Sequence, residues 1–250
     1  MKCLYHEEIT FVNTSGLTIS GACGIVGEMK LSAVIIALNE EDRIEDALKS
    51  CLDTADEIVV VDSYSTDKTV EIAKKYGAKI FQKEFVDYGS QKNFALQKAT
   101  YEWVLNLDAD ERISERLKEE IIKLKKEKHI KPDGFLINRK TSYLGRWIKH
   151  SGWYPDRKLR LFKKEKSRWQ GRIHERLLLD GETARLAGDI LHYTYRDMND
   201  HIKRLNRYSR MQAQDIVKNK KNCLYLRSLL LPPITFLRFY VWKAGFLDGF

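Results

Sequence analysis

Apolar and polar positions follow two alternating periods from Leu31 onward. Runs rich in branched apolar residues predict strands buried on both faces, and they read "LSAVIIAL", "EIVVVD", "AKIFQ" and "WVLNLD". Between these strands, helical spacing of apolar residues predicts four helices, and they are Glu41–Leu52, Thr66–Tyr76, Ser90–Gln97 and Ser114–Lys128. The expected N-caps of the last three are Thr66, Ser90 and Ser114. Strands that alternate with helices predict a parallel sheet covered on both faces.

The second half of the chain has a different pattern. Beyond Gly134 short strands such as "GFLINR", "RKLRLF" and "ERLLLD" are broken by Gly and Asp, and an amphipathic helix follows at about 197–217. These elements predict an α/β class, with a Rossmann-like sheet first, a mixed α/β half next and amphipathic helices at the C-terminus. Residues 1–28 lack periodicity, so we expect a disordered extension or a mis-assigned start there. The expected domain covers residues 29–217, and a basic amphipathic segment covers 218–250.

Charge and cysteine placement limit the classes of function. The net charge is +9, and the stretch from Ile202 to Leu247 holds ten Lys or Arg residues against one acid. Such a surface attracts anions, including phosphorylated substrates, nucleic acid and acidic lipid. The four cysteines form no CxxC pair, which argues against a zinc site and fits a reducing compartment. No apolar run approaches the roughly 20 residues that span a bilayer.

Three polar clusters follow predicted strands, where ligands bind in open α/β sheets. They begin at Asn39, Asp62 and Asp108. In the last cluster, Asp108, Asp110 and Glu111 crowd three carboxylates together, which is costly without a positive partner. Residues two apart in extended chain point the same way. Asp108 and Asp110 therefore suit a shared Mg²⁺ or Mn²⁺ ion, since both metals prefer oxygen ligands.

The motifs at these strands resemble those of the family 2 glycosyltransferases, which have the GT-A fold. The similar segments are "SAVIIALNEEDRIEDALKS", "EIVVVDSYSTDKTVEIAKKYGAKI", "GSQKNFAL" and "WVLNLDADERIS". Further segments resemble the lipopolysaccharide-core β-glucosyltransferase branch, and they are "WYPDRKLRLFKK", "RWQGRIHERL", "LHYTYRD" and "GFLDGF". The resemblance runs from about Lys30 to Phe250. It implies an inverting, metal-dependent transfer of a sugar, with UDP-glucose as the expected donor.

The resemblance also implies roles for residues of the first half. Asn39 and Glu40 would line the nucleoside pocket, and Asp62 would accept hydrogen bonds from base or ribose. Gln91, Lys92 and Asn93 open a helix whose N-terminus suits nucleotide contacts; without the resemblance, Lys92 reads as a solvated helix charge. Asp108 would touch the ribose or the metal, and Asp110 would bind the metal directly.

A single displacement needs a general base on the acceptor side. Glu175 in "IHER" and Asp156 in "YPDR" are the candidates, and Glu175 is favoured because it follows a basic, aromatic stretch and begins an apolar strand. An ion pair with a neighbouring arginine is the structural alternative for Glu175. His174 would orient the base, bind phosphate or ligate the metal. His192 is either a third metal ligand or a hydrogen-bonded core histidine.

The C-terminal stretch "LRSLLLPPITFLRFYVWKAGF" mixes aromatic, apolar and basic residues, as interfacial segments do. The expected partners are a lipid-linked or core oligosaccharide acceptor and an anionic membrane surface, with the protein cytoplasmic and peripheral on the inner face of the membrane. A packed helix with solvated cations is the alternative for this segment.

Two other classes of function compete with this hypothesis. The basic charge alone suggests a nucleic-acid-binding module, but no reader motif is present, so no nucleic-acid partner is expected. A sugar nucleotidyltransferase would also use acidic metal ligands, but it would need a glycine-rich basic loop where Asn39 and Glu40 stand.

Overall fold

The computed structural model describes residues 29–171, 175–218 and 224–249. His174 and the predicted N-terminal extension lie outside these residues. The described chain divides into two compact units. The larger unit contains residues 29–139 and 157–191, and the second unit contains residues 140–156 and 192–249.

The strands and helices of the described residues are numbered in chain order. The strands are β1 (Leu31–Ala37), β2 (Glu57–Asp62), β3 (Lys79–Gln82), β4 (Trp103–Asp108), β5 (Glu111–Ile113), β6 (Gly134–Tyr143), β7 (Arg146–Trp147), β8 (Asp156–Lys163), β9 (Ser167–Gln170), β10 (Arg176–Leu179) and β11 (Thr183–Tyr193). The helices are α1 (Ile44–Cys51), α2 (Thr69–Lys75), α3 (Tyr88–Lys98), α4 (Glu115–Lys125), α5 (Met198–Lys218) and α6 (Leu224–Phe236).

The main sheet has the strand order β3-β2-β1-β4-β8-β6-β11-β5. The first four strands are parallel, and β8 then pairs antiparallel with β4. A separate antiparallel hairpin joins β9 and β10. The structure thus confirms the predicted α/β class, with a Rossmann-like parallel half followed by a mixed half.

Both faces of the parallel strands are covered, as their sequence predicts. Ala33, Ile35 and Ala37 of β1 belong to one buried cluster, whereas Val34 belongs to another cluster that contains Leu96 of α3. This alternation follows from the two-residue period of a strand. The core therefore fixes β1 as the central strand, and its carboxyl end carries the loops described below.

Two of the three predicted helix caps are wrong. The backbone N–H of Thr66 donates to Asn39 Oδ1 at 2.8 Å, and the helix begins later, at Thr69. The helix α3 begins with Asp87 as its N-cap, whose carboxylate accepts the Ser90 N–H at 2.7 Å. Ser114 is confirmed as the N-cap of α4. The start of α2 is shifted because a tertiary contact with Asn39 takes the Thr66 N–H. The start of α3 is shifted because Asp87, and not Ser90, caps the helix.

Glu57 at the start of β2 supports a prediction about stability. Its carboxylate accepts hydrogen bonds from Lys79 Nζ at 2.7 Å, Ser32 Oγ at 2.5 Å and Thr100 Oγ1 at 2.9 Å. Burial raises the pKa of Glu57, but the bonds to Lys79, Ser32 and Thr100 outweigh it and lower the pKa from 4.5 to about 2. Because the folded-state pKa is depressed, this stabilisation is present above about pH 4.5 and is lost as the pH falls through about 2.

Glu57→Gln should lower the free energy of unfolding at pH 7 by about 1–3 kcal/mol, the usual contribution of hydrogen bonds to a charged group. Urea unfolding should show this deficit shrinking between pH 4.5 and pH 2. The exposed Glu71 offers a control, and Glu71→Gln should change the stability by less than about 0.5 kcal/mol. A deficit that is constant with pH would show that the charge of Glu57 is not the cause.

The second unit is rich in aromatic contacts. Tyr143 packs edge-on against Trp153, Tyr195 and His201, and its hydroxyl lies 2.8 Å from His201 Nδ1. After α6 the chain forms a π-helical turn at Leu237–Trp242 and a 3-10 turn at Gly245–Asp248. Among the described residues, no helix combines the length and the apolar character needed to cross a bilayer.

Candidate active site

The carboxyl ends of three parallel strands bring the predicted clusters to one edge of the sheet. Asp62 of β2 lies opposite Ala37 of β1, and Asp108 of β4 lies opposite Ile36. Since neighbouring strands are about 4.8 Å apart, Asp62 and Asp108 sit roughly 10 Å from each other across β1. This edge is where open α/β sheets bind ligands.

The first part of this edge is a polar loop pair around Asp62. Asn39 adopts a left-handed backbone, with φ of 54°, and its N–H donates to Ser65 Oγ at 2.9 Å. Asp62 is fully buried, and its Oδ2 accepts the Ser65 N–H at 3.0 Å. The other oxygen, Oδ1, has no hydrogen-bond partner among the described residues. A buried carboxylate oxygen without a donor is costly and indicates a place for a ligand's N–H or O–H.

Gln91 of α3, like Asp62, is a buried side chain with an acceptor atom that has no partner among the described residues. Its side chain is fully buried, and Nε2 donates to Ser63 Oγ at 2.9 Å and to the Lys83 carbonyl at 3.1 Å. Its Oε1 also lacks a partner among the described residues. Asp62 and Gln91 thus present two buried acceptors, a pattern that fits a ligand with several hydrogen-bond donors.

Glu40 and Asn93 have local structural contacts. The half-buried Glu40 begins the turn into α1, and its N–H donates to Thr69 Oγ1 at 2.8 Å. The side-chain amide of Asn93 exchanges two hydrogen bonds with the backbone of Trp169, at 2.8 and 2.9 Å. Asn93 therefore anchors β9 to α3, and its contact with a nucleotide remains a prediction.

Lys92 is a buried cation at the centre of the site. Its side chain is 4% exposed, and Nζ lies 2.8 Å from Glu175 Oε1 and 3.2 Å from Asp108 Oδ1. The same atom lies 4.6 Å from the centre of the Trp169 ring, a cation–π distance. Lys92 thus joins the predicted base to the predicted metal-binding segment.

Arg160 of β8 is a residue of the candidate site that the sequence pattern did not predict. It is 5% exposed, and Nη2 lies 3.1 Å from Asp108 Oδ2 and 2.7 Å from Glu111 Oε1. Glu111 is fully buried, and its Oε2 accepts the Asp108 N–H at 3.0 Å. The only signal in the sequence was the excess of carboxylates, which required a cation from elsewhere in the chain.

Protein cations compensate the crowded carboxylates. Asp110, with 16% of its side chain exposed, lies 3.4 Å from Arg43 Nη1, and Arg139 Nη1 lies 3.8 Å from Glu111. The site therefore balances four acidic with four basic side chains, namely Asp108, Asp110, Glu111 and Glu175 with Arg43, Lys92, Arg139 and Arg160.

The charges also set the protonation states at the centre of the site. Burial raises the pKa of Asp108, but Lys92 and Arg160 outweigh it and hold the pKa of this carboxyl well below its usual range. Burial lowers the pKa of Arg160, whereas Glu111 and Asp108 raise it above its ordinary value. Both groups stay charged at neutral pH, so the centre of the site is a fixed array of ion pairs.

Asp108 and Asp110 present the kind of oxygen donor that Mg²⁺ or Mn²⁺ prefers, and in this structure the two Asp108 oxygens are paired with Lys92 and Arg160. Both are oxygen donors, and 30% and 16% of their side chains are exposed. Within the described residues, no group of three His, Cys, Asp or Glu side chains could hold a metal ion. Mg²⁺ commonly binds through one or two carboxylates and completes its shell with water and substrate phosphate.

The remaining predicted site residues have different surroundings. Glu175 belongs to the larger unit, and 18% of its side chain is exposed. Asp156 and His192 belong to the second unit. Asp156 is half-buried at the start of β8, and His192 Nδ1 lies 3.3 Å from Thr141 Oγ1. The proposed roles of Asp156, His174 and His192 remain predictions.

Comparison with known proteins places this site in a family. The sequence profile described as Glycosyl transferase family 2 matches residues 32–176. The chain is 31% identical over 238 residues to the lipopolysaccharide core biosynthesis glycosyltransferase LpsC of Rhizobium meliloti strain 1021, covering 90% of this chain and 87% of LpsC. It is 32% identical over 242 residues to an uncharacterised glycosyltransferase of Rickettsia typhi, covering 88% and 80%.

The fold has a counterpart among solved structures. Residues 1–349 of S. aureus TarS, in complex with UDP-GlcNAc, superimpose with a TM-score of 0.52 and 21% identity over 68% of this chain and 60% of that chain. The parallel strands and the profile match agree with this counterpart. The protein belongs to glycosyltransferase family 2 and has the GT-A fold.

Proposed function

We propose that the protein transfers glucose from UDP-glucose to a saccharide acceptor of the lipopolysaccharide core or of another cell-envelope glycan, with inversion at the anomeric carbon. The observation that carries this proposal is the edge of the sheet, where two unpartnered buried acceptors lie beside the array of Lys92, Asp108 and Glu175. The name of LpsC supports the acceptor class, and the TarS complex supports a UDP-sugar donor.

Donor recognition would begin at Asp62 and Gln91, with Asn39 and Glu40 lining the same pocket. Uracil offers an imide N–H and ribose offers hydroxyl groups, which match the unpartnered Oδ1 of Asp62 and Oε1 of Gln91. Cytosine also offers N–H donors through its amino group, so these two acceptors support a nucleoside in general, and the choice of uridine rests on the TarS complex with UDP-GlcNAc.

Asp62→Asn should weaken UDP binding about 10- to 100-fold, because it removes an acceptor worth roughly 1.5–3 kcal/mol to a donor. The new amide can still accept the Ser65 N–H through its oxygen, so the loop should keep its structure. Isothermal titration calorimetry with UDP and CDP measures the effect.

A matched control for this variant is Asp133→Asn. Asp133 is also a buried aspartate, but it pairs with Lys163 and Lys166 at 3.1 and 3.0 Å on another part of the sheet. It should retain the wild-type affinity for UDP. An unchanged affinity of Asp62→Asn would contradict the proposed nucleoside site, and equal affinity of the wild type for UDP and CDP would contradict the proposed UDP-linked donor.

Asp108 and Asp110 would hold the divalent cation, which when bound supplies positive charge to the departing diphosphate. Around Asp108 and Asp110, four acidic and four basic side chains already balance each other. An added divalent charge is therefore better tolerated together with the negative diphosphate than alone. Lys92 and Arg160 would keep Asp108 oriented and ionised throughout.

Glu175 would take the proton from the acceptor hydroxyl as that oxygen attacks the anomeric carbon. Its Oε1 is held by Lys92 at 2.8 Å, which fixes the carboxylate beside the donor site. No covalent intermediate is needed, so one displacement converts an α-linked donor into a β-linked product. Asp156 is the alternative base, and His174 would orient Glu175.

The second unit would bring the enzyme to a membrane-linked acceptor on the inner face of the cell membrane. Its C-terminal segment, residues 229–249, exposes apolar side chains to solvent, and they are Leu229, Leu230, Leu231, Ile234, Phe236, Leu237, Val241, Trp242, Phe246 and Leu247. Arg238 is also exposed in this segment. Apolar residues mixed with cations favour an anionic lipid surface.

A further inference from the structure

The turn between β6 and β7 has an unusual residue at its tip. Tyr143 pairs with Arg146, which leaves Leu144 and Gly145 as a two-residue turn with φ of 47° and 81°. Such turns strongly prefer Asn-Gly, because both residues adopt positive φ. A bulky side chain at positive φ is disfavoured. Leu144 is nevertheless 44% exposed, so burial in the protein does not compensate for its conformation.

The surroundings of Leu144 are basic and aromatic. Arg146 and Lys149 are exposed, and Lys140 Nζ lies 5.4 Å from the centre of the half-buried Trp147 ring. An apolar tip flanked by cations and an indole ring is typical of elements that enter the headgroup region of a membrane.

The β6–β7 hairpin and the residues that directly follow it are bound to the C-terminal segment within the second unit, and Arg146 Nη1 of β7 donates to the Asp248 carbonyl. The Asp248 carboxylate accepts the N–H groups of Lys149 at 3.0 Å and of His150 at 2.8 Å, and it lies 2.9 Å from His150 Nδ1. The Ser151 N–H donates to the Lys243 carbonyl at 3.0 Å. These bonds hold the hairpin and residues 237–249 together, so the two can meet one surface.

The charge of these two stretches complements an anionic surface. Residues 140–156 and 224–249 contain six Lys or Arg residues and two Asp residues. One of the two acids, Asp248, is engaged by the backbone N–H groups of Lys149 and His150, directly after the hairpin. Trp242 is 88% exposed and Leu247 is 60% exposed, so the same segment supplies apolar groups for insertion.

We propose that the β6–β7 hairpin is a second membrane-contacting element, in which Leu144 enters the headgroup region of an anionic leaflet beside the C-terminal segment. This inference rests on the membrane-linked acceptor of the proposed function and names the part of the chain that meets the lipid. It explains why a leucine occupies a turn position that favours asparagine.

Leu144→Asn tests this inference on the full chain. The variant removes the apolar tip and introduces a residue that favours the left-handed turn, so the melting temperature should stay unchanged or rise. Binding is measured by sedimentation with phosphatidylcholine vesicles that contain phosphatidylglycerol. The variant should bind about tenfold more weakly than the wild type, because it lacks the leucine side chain that would be buried in the lipid. Leu52→Asn is the matched control, since Leu52 is 49% exposed in the larger unit, and it should bind like the wild type.

Three outcomes would overturn the inference: vesicle binding of Leu144→Asn equal to that of the wild type, equal binding of the wild type to vesicles of phosphatidylcholine alone, or no binding of the wild type to either. UDP release from UDP-glucose without vesicles is measured in parallel and should be equal in the wild type and Leu144→Asn. Absence of UDP release in the wild type would contradict the proposed enzymatic function. A vesicle-binding result that differs from the expected one, with UDP release intact, would contradict only the proposed role of the hairpin.

Discussion

Glu175→Gln should reduce UDP release from UDP-glucose by about 10²–10⁴-fold, the range expected for loss of a general base. The amide cannot accept the proton of the attacking hydroxyl, whether it comes from an acceptor or from water. Its oxygen can still accept a hydrogen bond from Lys92, which lies 2.8 Å from the carboxylate in the wild type. The affinity for UDP, measured by calorimetry, should therefore stay within about threefold of the wild-type value.

Two further variants make this result specific. Glu165→Gln changes a glutamate whose side chain is 80% exposed, and it should keep the wild-type rate. Asp156→Asn tests the alternative base. If Glu175→Gln retains the wild-type rate while Asp156→Asn loses it, Asp156 is the base, and the contact of Glu175 with Lys92 is structural.

Asp110→Ala should reduce turnover by about 10²–10³-fold at saturating Mn²⁺, the usual cost of removing one electrostatic partner of a transition state. Its carboxylate would hold the cation that stabilises the departing diphosphate. Its pair with Arg43 is long, at 3.4 Å, and part of its side chain is exposed, so the melting temperature should fall only slightly. Thermal unfolding and UDP release from UDP-glucose, measured on the same preparation, separate the two effects.

Asp53→Ala is the control for this variant. Its side chain is 63% exposed and pairs with Lys118 on the surface. It should keep the wild-type rate at every Mn²⁺ concentration. Near-wild-type turnover of Asp110→Ala at saturating Mn²⁺ would show that the interpretation of Asp108 and Asp110 as a metal-binding pair is wrong.

The edge of the sheet could be predicted because it depends on local pattern. Each of the three strands that end at Ala37, Asp62 and Asp108 is rich in apolar residues, and a polar cluster lies at or just beyond its end. Parallel strands bring their carboxyl ends together, so the clusters had to share one edge. The registers of Ala37 with Asp62 and of Ile36 with Asp108 confirm this.

The cations that complete the site could not be predicted from local pattern. Arg160 reaches Asp108 across 52 positions of the chain, and it does so only because β8 pairs antiparallel with β4. Lys92 is buried because α3 packs against the β9 strand, whose Trp169 ring covers the ammonium group. From local sequence alone, a lysine at the start of a helix reads as a solvated charge.

Two of the predicted residues make structural hydrogen bonds that the sequence pattern did not predict. The side-chain amide of Asn93 hydrogen-bonds both the N–H and the carbonyl of Trp169, and its contact with a nucleotide stays a prediction. Thr66 was expected to cap a helix, but its N–H secures the side chain of Asn39 instead. In both cases a long-range hydrogen bond, which has no signature in spacing, takes the polar group.

The most direct test of the account is nucleoside diphosphate release from a panel of nucleotide sugars, each with Mn²⁺, Mg²⁺ or EDTA. Slow hydrolysis by water makes the measurement possible before the acceptor is known. We expect release from UDP-glucose in the presence of either metal, no release with EDTA, and loss of release in Asp110→Ala. Release that persists in EDTA, or that occurs from a non-uridine donor alone, would contradict the proposed metal-dependent transfer from a UDP-sugar.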